Sequence, residues 1–131
     1  MARSAAGFVR CVRPDGSVVC ERCLVAARPL RRMRGLLGRR DLPQGEGILL
    51  KPAGSIHTFF MRFPIDVVFL DREQVVLRIA HGVPAWRALG ERGTRSVLEL
   101  RSGEAARSGA QVGERLELVD QTTLVPPTPQ G

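Results

Sequence analysis

The run SIHTFFMRFPIDVVFLD, residues 55–71, constrains this chain more than any other stretch. It is apolar almost throughout and reads as strand, turn, strand. It nevertheless carries His57, Arg62 and Asp66. Burying an ionisable group costs several kcal/mol unless it is paired. A hairpin of this composition therefore hides a satisfied polar network or exposes a site. In a strand over residues 65–70, Ile65, Val67 and Phe69 share one face and Asp66, Val68 and Leu70 the other. Both faces are largely apolar, which predicts a central strand in which Asp66 needs a partner. With residues 62–65 as the loop, Asp66 opposes Met61, and His57, Phe59, Met61 and Asp66 share a face. A loop one residue shorter flips the register and takes His57 off that face.

The rest of the chain supplies more short strands. Strands are expected over residues 9–12, 17–25, 48–50, 55–61, 75–80, 97–100 and 115–119, with turns at Pro14-Asp15-Gly16 and at residues 71–74. Three of them, 55–61, 65–70 and 75–80, are joined by short turns and predict an antiparallel meander. Residues 29–37 read as an Arg-rich helix, with Pro29 in its first turn and Leu30, Met33 and Leu37 in one stripe. A short C-terminal helix over 103–108, capped by Ser102 and stopped by Gly109, is expected before the last strand. The class is α+β: a curved antiparallel sheet or small β-barrel with those two helices. At 131 residues the chain is one domain, over 1–120, with a Pro-rich tail at 121–131 that reads as disordered.

Charge narrows the partners. The net charge is +7. Residues 1–40 hold ten Arg against Asp15 and Glu21, whereas residues 41–131 hold ten basic and eleven acidic groups. A basic excess can attract nucleic acid or an acidic partner, here through Arg28, Arg31, Arg32, Arg34, Arg39 and Arg40. Arg outnumbers Lys nineteen to one, the mark of a coding bias, and no aromatic residues interleave with these arginines, so this is the weaker reading. No apolar run reaches the ~20 residues of a membrane span, and the opening MARSAAGFVR has no apolar h-region. The expected location is the cytoplasm, with Cys11, Cys20 and Cys23 reduced.

Candidate chemistry is sparse. Cys20-Glu21-Arg22-Cys23 matches C-x-x-C, but a structural zinc site wants a second such pair, and in a regular strand the two thiols point to opposite faces. Glu99 alternates with Leu98 and Leu100 and reads as solvent-facing. No nucleophile elbow, phosphate loop or metalloprotease motif is present. No metal and no cofactor is expected. Trp86 and Arg87, in VPAWR, form either a stacking platform or a cap on the sheet.

The pieces RGLLGRRDLPQGEGILL (34–50), SIHTFFMRFPIDVVFLD (55–71), VPAWR (83–87) and VLELRSGEAARSGAQVGERLEL (97–118) come in the order of a known family. The chain resembles the bacterial and archaeal domain of unknown function 192 over about residues 28–119. The resemblance implies a compact α+β domain with a curved, barrel-like sheet, and it brings no catalytic residues. Two function classes follow. One is a non-catalytic domain binding a small polar or anionic ligand or a peptide segment through His57, Phe59, Met61, Arg62, Asp66, Trp86 and Arg87. The other is a hydrolase or lyase using His57 and Asp66 as an acid/base pair.

Overall fold

Runs of Val, Ile and Leu bounded by Gly, Pro and Asp turns build short strands throughout. The computed structural model describes residues 7–26, 42–59 and 61–120. Its elements are β1 (Phe8–Val12), β2 (Val18–Ala26), β3 (Glu46–Leu50), β4 (Ser55–His57), β5 (Ile65–Leu70), β6 (Val76–Val83), β7 (Ala88–Gly90), β8 (Ser96–Arg101), α1 (Glu104–Ser108) and β9 (Glu117–Asp120). Seven strands form one sheet in the order β6-β5-β8-β3-β2-β1-β9, and β4 pairs with β7 in a second, two-stranded sheet. Neighbours run antiparallel except β2 and β3, which are parallel.

The sheet is open, not a closed barrel. Among the described residues its two ends meet near an isolated bridge, Val75 to Arg115. Around it Val76 N–H donates to Glu114 O (2.8 Å), Gly113 N–H to Val76 O (2.8 Å) and Leu116 N–H to Gln74 O (2.9 Å). The expected meander is corrected as well. Both edges of β5 are taken, by β6 and β8, which leaves β4 no edge to pair with. It pairs with β7 instead, and the predicted 55–61 strand shrinks to three residues.

Apolar packing covers both faces of the large sheet. Ile48, Leu50, Val67, Phe69 and Val97 lie on one face, under Ile56, Met61 and Phe63 from β4 and the loop after it. Cys11, Cys23, Leu49, Val68, Leu98 and Leu100 lie on the other, with Ala105 of α1 and Leu116. Every residue of β5 is buried, as a central strand requires. Each fully buried Leu or Phe contributes about 1.5–3 kcal/mol by leaving water. Gly47 lets β3 and β8 close up, because a Cβ there would stand 2.7 Å from the Glu99 carbonyl oxygen.

Among the described residues a single short helix, α1, falls within the expected 103–108 span and ends at Gly109 in the left-handed region. It precedes β9 and so is not terminal. Its N-cap is Gly103, at φ 97°, and not Ser102; no side chain caps it from that position. The expected Arg-rich helix over 29–37, the basic run from Arg28 to Arg40 and the tail at 121–131 lie outside the described residues.

Candidate ligand-binding surface

The segment after β4 is organised by one buried hydroxyl. Thr58 is 1% exposed. Its Oγ1 donates to Pro84 O (2.7 Å) and accepts from Arg87 N–H (2.9 Å). Its backbone completes the clamp: Thr58 N–H donates to Arg87 O (2.8 Å), and Thr58 O accepts from Trp86 N–H (3.1 Å) and Met61 N–H (3.2 Å). Two loops distant in sequence, the one after β4 and VPAWR, are thereby held together. The β4–β7 ladder, His57 opposite Ala88 and Ile56 opposite Leu89, continues the contact.

The clamp displays a row of rings. The His57 and Phe59 centroids lie 4.7 Å apart, and Phe59 stacks on Trp86 at 5.6 Å with 26° between planes. Phe59 is 37% exposed and Trp86 57% exposed, and the only other large exposed apolar side chain among the described residues is Val112. Trp86 has φ 64°, a left-handed conformation that a bulky residue adopts only when its surroundings impose it, at a cost of about 1–3 kcal/mol. Arg87 is exposed and its Nη1 donates to Trp86 O (3.5 Å); Arg62 is exposed in the loop between β4 and β5. Rings backed by cations can hold a planar or apolar group beside a negative charge.

The remaining expected site residues are elsewhere. Met61 is a core residue. Asp66 is wholly buried, and its carboxylate accepts three main-chain hydrogen bonds: from Gly82 N–H at 2.8 Å, Gly103 N–H at 2.9 Å and Ala105 N–H at 3.0 Å. An extra residue in β6 opposite Asp66 turns the Gly82 amide towards it. The carboxylate ties β6 and α1 to β5. His57 is not among its partners; its Nδ1 accepts from Phe59 N–H at 3.4 Å. The acid/base pair expected of His57 and Asp66 is therefore not formed, because His57 rides on β4 in the smaller sheet.

Sequence reasoning missed Glu99. It is 1% exposed, not solvent-facing, because the sheet face opposite Leu98 and Leu100 is also covered. Neither of its carboxyl oxygens has a hydrogen-bond partner among the described residues. Burial alone pushes its carboxyl up from 4.5 to about 7. The signal available beforehand was β8 itself, apolar on both faces around one Glu.

The cysteines also depart from expectation. Irregular register in β2, where Cys11 faces Cys20 and Val9 faces Cys23, breaks the two-residue alternation, and all three thiols enter the same core. Contacts with the Cys11 and Cys20 thiols, and then burial, push the Cys23 thiol well above its ordinary range. No group of three or more His, Cys, Asp or Glu among the described residues is arranged to hold a metal ion. No helix among them is long and apolar enough to cross a membrane.

Residues 11–118 match the model of the DUF192 family, described as an uncharacterized ACR. Among curated proteins none matches the chain with significance. Two crystal structures are similar in fold. One is a candidate transcription regulator from Sinorhizobium meliloti 1021, with a TM-score of 0.73, 24% identity, and coverage of 90% of this chain and 97% of that one. The other is a protein of unknown function from Novosphingobium aromaticivorans DSM 12444, with a TM-score of 0.70, 24% identity, and coverage of 89% and 99%.

Proposed function

The chain belongs to the uncharacterised DUF192 family, and from that footing we propose that it is a non-catalytic binding domain whose contact surface is the His57–Phe59–Trp86 row. The ligand is anionic and carries a planar or apolar ring, as a free small molecule or as a side chain of a peptide segment. The ring lies against Phe59 and Trp86, and the negative group meets Arg87 and Arg62. The observation that carries this reading is the exposed Phe59–Trp86 stack, held in a left-handed turn by the buried Thr58. Backbone strain of this kind clusters at ligand clamps and active sites.

Trp86 is the only Trp, so its fluorescence reports on the surface directly. The experiment titrates aromatic carboxylates, mononucleotides and acidic Phe-containing peptides while recording Trp86 emission. Saturable quenching by a ring-bearing anion is expected. Phe59→Ala should weaken it roughly tenfold, since stacking on one ring is worth about 1–3 kcal/mol. No response across the three probe classes, or equal affinity in Phe59→Ala, overturns the reading. Response to peptides alone identifies a peptide docking surface.

Nucleic-acid contact is the competing reading, suggested by the description of the Sinorhizobium relative. The described arginines of the first forty residues are each engaged internally. Arg10 pairs with Glu21 (2.9 Å), Arg13 pairs with Glu114 (2.8 Å), and Arg22 lies over the Phe8 ring (4.0 Å). Single-stranded oligonucleotide binding that falls steeply with salt would favour that reading instead.

A further inference from the structure

A cleft of about 720 Å3 opens where the sheet's two ends meet. Small-molecule sites occur at this size, about 300–1,000 Å3. Distant segments line it: the end of β1 and the turn after it, Lys51 beyond β3, Gln74 in the β5–β6 turn, and residues 115–118. Its apolar part is Val12, Leu116 and Leu118. Val12 stands directly opposite Glu117 in the β1–β9 ladder, so their side chains share a face about 5 Å apart.

Charges of both signs line the cleft. Arg13 is already engaged, with Glu114 (2.8 Å), Ser17 Oγ (3.3 Å) and Ser108 O (3.2 Å). Arg115 is anchored through Nε to Glu73 O (3.0 Å). Lys51 and Glu117 differ. Both are exposed at the cleft, and neither has an ion pair or side-chain hydrogen bond among the described residues. Gln74 adds a side-chain amide, likewise without a partner among them. Its backbone sits at φ 64°, after a turn closed by Gln74 N–H to Asp71 O (3.0 Å). Glycine takes such a position at least cost, yet the chain keeps a side chain there.

We propose that this cleft is a second binding site, for a small zwitterion of the aliphatic amino-acid class. The ligand's carboxylate meets the Lys51 ammonium and the Gln74 amide, its ammonium meets the Glu117 carboxylate, and its apolar side chain lies against Val12 and Leu118. Carboxylates accept hydrogen bonds, ammonium groups donate them, and an amide N–H donates as well, so each polar group of the ligand finds its complement. A simple anion is repelled by Glu117 and a simple cation by Lys51; a ligand carrying both charges is matched at both. The aliphatic body gains by leaving water. No residue of the aromatic row lines this cleft.

The test titrates the full chain with L-leucine at low salt, by calorimetry and by amide resonances. Saturable binding is expected, moving the Gln74 side-chain amide and the main-chain amide of Glu117. Isocaproate, which lacks the ammonium, and isoamylamine, which lacks the carboxylate, should each bind about tenfold more weakly or worse. Lys51→Gln and Glu117→Gln should each lower the leucine affinity about tenfold, the loss of one charge-assisted hydrogen bond. Gln74→Gly separates binding from folding: it should melt no lower than the native protein and still bind leucine more weakly. No saturable leucine response, a singly charged analogue as tight as leucine, or unchanged affinity in any of the three folded variants overturns the site.

Discussion

Two buried carboxylates lie on adjacent strands of one sheet, and they are handled in opposite ways. Asp66 is saturated by amides of Gly82, Gly103 and Ala105, whereas Glu99 has no donor among the described residues. The second arrangement makes stability depend on pH. In the native protein Glu99 titrates at about 7, against 4.5 for an ordinary Glu. Below about pH 4.5 the proton is bound in both states and the native fold has its full advantage. Between about 4.5 and 7 the unfolded chain releases the proton first, so stability falls as pH rises, and above 7 the loss is complete. The size is on the order of 3 kcal/mol. Urea unfolding across this window should show that decline in the native sequence and a flatter profile in Glu99→Gln. Parallel profiles would mean that Glu99 finds a donor in solution.

At the scale of elements, the molecule depends on contacts between short segments that neither could sustain alone. β4 and β7 have three residues each, and Thr58 holds their extensions together. Thr58→Val keeps the shape and removes the hydroxyl, leaving Pro84 O and Arg87 N–H without that partner. The expected cost is about 1–3 kcal/mol. Amide exchange should accelerate at Trp86 and Arg87 while β5 and β8 stay protected; unchanged exchange at Trp86 would show that the clamp is dispensable. The elements also mark where the sequence was legible. The strand at 65–70 could be read directly, because continuous burial writes an unbroken apolar run. Phe59 and Trp86 could be picked out singly, but their stacking could not, since it depends on a β4–β7 pairing that no local pattern announces. Ala88, Leu89 and Gly90 have no strand signature of their own. The cysteines were misplaced for a similar reason: the irregular register of β2 is set by its neighbour β1, not by β2 itself.

On the scale of the whole molecule, the covered faces of the sheet govern reactivity. Cys11, Cys20 and Cys23 are at most 1% exposed. A thiol reacts as its thiolate and needs access, and here both are withheld until the domain opens. A chromogenic thiol reagent should label none of these three in the native protein and all three in denaturant. Rapid native labelling would place them on a local opening instead. The sheet's two ends touch through Val76, Gly113, Glu114, Leu116 and Gln74, using main-chain amides and carbonyls throughout. The hydrogen bonds themselves do not read side chains. The path of that backbone is what side chains here hold: Gly113 turns at φ 95°, Glu114 pairs with Arg13 and Leu116 fills the core, so of residues 113–116 it is the outward Arg115 at which this seam best tolerates drift.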